Sequence, residues 1–188
     1  MKIGIFGGTF NPPHMGHLLL ANEVYHQMKL DEIWFMPNSI PPHKQQDKSV
    51  SNEDRKEMVQ LLIKEIPYFK LETIEIDQEK VSYTVDTMRN LTSKYPSFQF
   101  YFIIGGDMVE YLPKFKEIDA LASMVEFIGV TRNGYSLTSP YPIHVVSMPI
   151  IDLSSTMIRN RIKTNQPITF MVTKELENFI QKRHLYES

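Results

Sequence analysis

The 188-residue sequence has no cysteine, so neither a disulfide framework nor a thiolate metal site is open to it. That fits a reducing compartment. It also lacks an excess of either charge: 20 Lys and Arg stand against 22 Asp and Glu, for a net charge of −2. A protein that grips nucleic acid through bulk charge needs a basic face, so nucleic acid is not an expected partner. No apolar run approaches the ~20 residues that span a bilayer. The first residues run into a strand pattern with no basic leader or apolar signal region. The expectation is a cytoplasmic protein without membrane contact. Two nucleotide fingerprints are missing as well. G-x-G-x-x-G does not occur, which argues against a dehydrogenase. No P-loop ends in Gly-Lys-Ser/Thr, which argues against a Walker-type ATPase. There is no internal repeat, low-complexity tract or linker.

What is present is an alternation of strand and helix patterns, 42% hydrophobic overall and of a length expected for one domain over residues 1–188. Residues 2–6 read as a buried strand, followed by a helix over 14–29 with Leu20, Val24 and Met28 on its buried face. A strand at 32–36 leads into a polar, proline-containing loop at 37–48. Ser51 and Asp54 form a capping-box pattern for a helix to 65. Residues 70–76 alternate like a strand, and Ser82-Tyr83-Thr84 opens a helix to 94. Residues 98–104 are nearly all apolar or aromatic, as in a central parallel strand covered on both faces. Short helices fill 107–124, with strands at 125–130 and 144–148 around a loop at 131–142. Ser154-Ser155-Thr156 caps a helix to 163, and an amphipathic helix covers 174–183. The expected fold is α/β: a Rossmann-like open parallel sheet with helices on both faces. Trp34 and the methionines read as packing. His26, His144 and His184 have no identifiable partner and read as structural.

The informative residues fall where such sheets bind ligands, beyond the C-terminal strand ends at the switch point. The stretch from Gly7 to His17 reads Gly-Gly-Thr-Phe-Asn-Pro-Pro-His-Met-Gly-His. Gly7 and Gly8 are expected to allow a sharp turn and close approach to a ligand. His14 and His17 share a helix face at the first turn, where free N–H groups and the dipole favour an anion. Thr9 adds a hydroxyl. A helix after Ser154-Ser155-Thr156 offers a second anion site, with Arg159 one turn inside it as a bidentate phosphate ligand. Two helix starts and an arginine can spread over a triphosphate. No nucleophile paired with a base stands beside them. That pattern points to direct in-line transfer, in which alignment contributes about 7–11 kcal/mol and each donor aimed at developing charge about 10²–10³ in rate. With triphosphate bound, His14 and His17 are expected to donate hydrogen bonds to it. Mg²⁺ is expected to bridge phosphate oxygens and water, since no carboxylate cluster is evident to hold it alone.

The stretch around His14 and His17 resembles the T/HxGH signature of the nucleotidyltransferase superfamily. Ser154-Ser-Thr-Met-Ile-Arg159 resembles its second signature, ISSTxIR. With Pro41-Pro-His-Lys44, Ser82-Tyr-Thr84, Ile103-Ile-Gly-Gly-Asp107 and Leu185-Tyr-Glu-Ser188, nearly the whole chain is similar to the bacterial nicotinate-nucleotide adenylyltransferases. The resemblance implies a nucleotidyltransferase-type sheet whose last helices, about 154–183, complete the phosphate site. It implies transfer of adenylate from ATP to nicotinate mononucleotide in NAD biosynthesis, with those two molecules as partners. It places Gly7, Gly8, Thr9, Phe10, Gly105, Asp107, Arg132, Ser154, Ser155 and Thr156 on ATP, with Asp107 at the ribose and Arg132 by the adenine. His14, His17 and Arg159 carry the catalysis. Lys44, Ser82, Tyr83, Thr84 and Phe115 contact nicotinate mononucleotide, whose carboxylate meets backbone N–H groups of the Ser-Tyr-Thr turn. A homodimer is an open expectation.

Three positions depart from the family pattern: Asn11 replaces Asp and is expected to keep an Asx-type turn, Phe115 replaces a stacking Trp, and Lys80-Val81 replace Gly-Pro. Another acceptor, such as pantetheine phosphate, is the nearest alternative. A non-catalytic nucleotide sensor would be expected to have lost His14, His17 or Arg159. An RNA-aminoacylating fragment would need a tRNA-binding appendage or a basic face.

Overall fold

The computed structural model describes residues 1–38, 50–78, 83–131, 138–149 and 151–187, without the side chains of Gln78 and Asp107. Six strands form a single sheet in the order β3-β2-β1-β4-β5-β6. They are β1 (Lys2–Gly8), β2 (Glu32–Pro37), β3 (Phe69–Leu71), β4 (Gln99–Gly105), β5 (Val125–Thr131) and β6 (Ile143–Ser147), and every neighbouring pair is parallel. The helices are α1 (Met15–Met28), α2 (Asn52–Ile63), α3 (Thr84–Lys94), α4 (Gly106–Val109), α5 (Ile118–Met124), α6 (Ser155–Lys163) and α7 (Lys174–Lys182).

The alternation of side chains along each strand divides the core in two. Phe6, Ile33, Phe35, Ile103 and Ile128 face one side, with Leu18 and Ala21 of α1, Met58 of α2, Ile158 of α6 and Leu176 of α7. Ile5, Trp34, Met36, Phe102 and Phe127 face the other, under Met88 of α3 and Leu121 of α5. Both faces being covered explains why β4 reads as an unbroken apolar run. The chain moves outward from β1 through β2 to β3, then returns to β4 on the other side of β1. The switch point is therefore between β1 and β4, and Gly7-Gly8 and Gly105-Gly106 stand at its mouth.

Several expectations change. The strand at 70–76 stops at Leu71. Glu72 N still donates to Phe35 O, but Ile74 N then bonds to the Glu72 carboxylate at 3.0 Å and Asp77 N to Thr73 O. These local bonds turn the chain into a short 3₁₀ helix at Ile76–Gln78. The fully buried residues of α1 are Leu18, Ala21 and Val24, while Leu20 and Met28 are half-buried. The three histidines do have neighbours: His144 Nε2 lies 2.6 Å from Glu126, His184 Nδ1 3.1 Å from Glu187, and the His26 ring against Tyr25. Trp34 packs in the sheet and donates to Glu32 at 2.7 Å. Met36, Met58, Met88 and Met148 are core, but Met1, Met15 and Met108 are exposed. Among the described residues no helix is long and apolar enough to cross a membrane.

Candidate active site

The loop between β1 and α1 is shaped by its aromatic residue. Its left-handed residue is Phe10, with φ of 49°, rather than either glycine. A Cβ at Gly8 would lie 2.9 Å from the Phe10 ring, so this glycine makes room for that ring. The ring is buried and packs edge-on to Phe6 and His17. A Cβ at Gly7 would be in ordinary contact, 3.8 Å from the Phe102 ring. Gly16 is more constrained: a Cβ there would lie 3.0 Å from His14 Nδ1. The small residue between the two histidines lets the His14 ring lie over the helix start.

His14 is the N-cap of α1, in extended conformation, and is buried. The His14 and His17 rings stack with centroids 3.8 Å apart. His14 N–H donates to His17 Nδ1 at 3.1 Å, which leaves the neutral His17 proton on Nε2. Burial first, then the neighbouring His14, holds the His17 pKa well below its ordinary value. The imidazole is thus held neutral, with its proton on Nε2. Part of the helix start is already occupied: Met15 N–H donates to Met171 O at 2.8 Å, and His17 N–H to His14 O. Gly16 N–H is the first-turn amide without such a bond among the described residues.

The second helix start is locked onto the first loop. Ser154 caps α6 by accepting from Met157 N–H. Ser155 Oγ donates to Pro12 O at 2.8 Å. Arg159 donates to Asn11 O at 2.8 Å and to Thr156 Oγ1 at 3.1 Å, which uses two of its five N–H donors. So the structure brings together Gly7, Gly8, Thr9, Phe10, His14, His17, Ser154, Ser155, Thr156 and Arg159.

Other predicted residues are more dispersed. Gly105 ends β4 and caps α4, which includes Asp107. Tyr83 caps α3 and Thr84 begins it; Tyr83 is exposed. Phe115 is half-buried against the second core and edge-on to Tyr111 at 6.3 Å. Lys44, Ser82 and Arg132 lie outside the described residues, as does the Asp107 side chain.

Sequence reasoning missed the residues that hold this loop from below. Arg55 of α2, 2% exposed, donates to Thr9 O at 3.0 Å, Asn38 O at 2.6 Å and Asn52 Oδ1 at 2.6 Å. Tyr186 is buried and donates to Asn11 Oδ1, so Asn11 is held by a distant phenol instead of closing an Asx turn. Arg183 grips Asp54 at 2.9 and 3.1 Å. Burial pushes the Asp54 carboxyl up, but the Ser51 hydroxyl and amide, with Arg183, outweigh it and hold the pKa below its ordinary value. The capping box at Ser51 was visible in the sequence; its cation was not.

A family model described as cytidylyltransferase-like matches residues 5–161. A Bacillus licheniformis protein named "Probable nicotinate-nucleotide adenylyltransferase" is 52% identical over 187 residues, 100% of this chain and 99% of the relative. A Bacillus subtilis protein named "Nicotinate-nucleotide adenylyltransferase" is 50% identical with the same coverage. The fold matches that of a Plasmodium falciparum nicotinic acid mononucleotide adenylyltransferase complexed with NaAD, with a TM-score of 0.81 at 20% identity over 99% of this chain and 97% of that one. The chain therefore belongs to the cytidylyltransferase-like nucleotidyltransferases and, within them, to the nicotinate-nucleotide adenylyltransferases.

Proposed function

We propose that this protein transfers the adenylyl group of ATP to the phosphate of nicotinate mononucleotide. A phosphate oxygen of the acceptor attacks the α-phosphorus, the bond to the β-phosphate oxygen breaks, and pyrophosphate leaves. The product is nicotinate adenine dinucleotide, a step of NAD biosynthesis. The observation that carries this reading is the contact of two helix starts through Ser155–Pro12 and Arg159–Asn11, with a stacked histidine pair on one of them.

In this reading the triphosphate lies across both tips. Gly16 N–H, His17 Nε2–H, His14 and the remaining Arg159 donors meet charge as it builds on the leaving pyrophosphate. Such preorganised donors lower the barrier without forming a covalent intermediate. Gly105, Asp107 and Arg132 hold the ribose and adenine, and Lys44 a phosphate. Ser82, with Tyr83 and Thr84 at the start of α3, receives the nicotinate carboxylate, and Phe115 stacks on its ring. Among the described residues no group of three or more His, Asp or Glu side chains is placed to hold a metal ion. The nucleotide's phosphates and water would therefore be the main ligands of Mg²⁺, whose contribution when bound is to neutralise phosphate charge. The cytoplasm and a homodimeric state belong to the same reading.

The test is coupled pyrophosphate release with three acceptors: nicotinate mononucleotide, its nicotinamide analogue and pantetheine phosphate. The expected result is turnover of the acid far above the other two. Equal kcat/KM for acid and amide discards the carboxylate site at α3. Turnover of pantetheine phosphate alone overturns the acceptor.

A further inference from the structure

Asp86 sits in the first turn of α3, the helix whose start is read above as the nicotinate carboxylate site. A carboxylate in that turn is favoured by the helix dipole. By the same logic it competes with an anionic substrate and repels it. Both of its oxygens are engaged by cations. Lys116 Nζ lies 3.0 Å from Oδ2, and Arg89 Nη1 2.9 Å from Oδ1. The Lys116 ammonium also stands 4.3 Å from the centroid of the Tyr83 ring, at the helix cap, and Arg89 reaches on to Glu117. Four alternating charges thus clasp the first two turns of α3 to residues 116 and 117, directly after Phe115.

We propose that Lys116 is a specificity-determining positioning residue. With Arg89 it masks the Asp86 charge, so that the helix start accepts an acid with less repulsion. The proposal rests on the nicotinate reading of α3. It concerns discrimination between substrates and leaves the transfer step untouched. The Lys116 hydrogen bond foremost holds the Asp86 carboxyl below its ordinary pKa; burial opposes it, and the Lys116 and Arg89 charges add to it. Asp86 is therefore anionic at neutral pH, and removing Lys116 leaves its charge partnered by Arg89 alone, more repulsive to an acid at the helix start.

The test compares wild type, Lys116→Met, Lys116→Arg and the double variant Lys116→Met/Asp86→Asn, each assayed with nicotinate and nicotinamide mononucleotide. Lys116 and Asp86 are both about half-exposed, so all four proteins are expected to melt together. Lys116→Met should raise KM for the acid about 3- to 10-fold, the size of an exposed ion pair plus a cation–π contact. Its kcat, its KM for ATP and its kcat/KM for the amide should not move. Lys116→Arg should restore the acid KM, and Asp86→Asn should restore it in the Lys116→Met background. An equal loss on both acceptors, or no rescue by Asp86→Asn, overturns the proposal. Wild type that turns over neither mononucleotide overturns instead the function on which it rests.

Discussion

The two ends of the candidate site are held by different physics. At the proposed phosphate end, a buried and a half-buried arginine and a buried phenol reach across the fold to backbone carbonyls and one amide oxygen: Arg55 to Thr9 and Asn38, Arg159 to Asn11, Tyr186 to the Asn11 side chain. At the acceptor end, exposed charges on α3 and on residues 116 and 117 pair with one another in water. A buried donor that loses its acceptor, or the reverse, costs about 1–3 kcal/mol, whereas an exposed pair contributes at most about 1 kcal/mol. The proposed phosphate end is thus costly to disturb. The proposed acceptor end can be altered without loss of the fold.

Four substitutions or titrations test that contrast, from the largest effect down. His17→Ala removes the donor proposed to meet developing charge and should lower kcat by about 10²–10³, with a lower melting temperature as well, because His14 N–H loses its acceptor; nearly full turnover in a folded variant overturns the proposed role. Arg55→Leu leaves the Thr9 and Asn38 carbonyls without their buried donor and should cost about 2–4 kcal/mol of stability, read by urea denaturation. An unchanged midpoint would mean that the loop holds its own shape.

The third concerns pH. His17 has a folded pKa below its ordinary 6.5, so the unfolded chain takes up a proton that the folded one does not. Stability should be flat above about pH 6.5 and fall as pH drops from there toward the folded pKa. His17→Gln should flatten that slope. The fourth is the smallest. Phe115→Leu keeps an apolar side chain but removes ring stacking, worth about 0.5–1.5 kcal/mol. KM for nicotinate mononucleotide should rise by roughly 2- to 10-fold, with KM for ATP unchanged. A larger effect on ATP would place Phe115 at the wrong end.

The same contrast governs what the sequence reveals. His14, Gly16 and His17 are legible because their roles follow from spacing within one turn, and Ser51–Asp54 because a capping box is local. Ser154 and Arg159 are legible for the same reason. Their partners Pro12 and Asn11, 143 and 148 residues away, are not. Arg55 looks like any charged residue of a helix; only the fold shows that it serves carbonyls 46 and 17 positions off. Tyr186 stands out only within the family-like ending Leu185-Tyr-Glu-Ser188, and nothing local points to its bond with Asn11. The strand that ends early at Leu71 shows the opposite failure. Its alternation is real, but the Glu72 side chain offers Ile74 a closer bond than the sheet does.

The Tyr186–Asn11 bond joins positions 175 residues apart. Synthesis runs from the N-terminal side, so the loop at Asn11 and all six strands are made before the phenol that holds the Asn11 side chain. That last bond forms only once residue 186 is free of the ribosome. Activity in a nascent chain should therefore rise only after that point and should not grow in step with length.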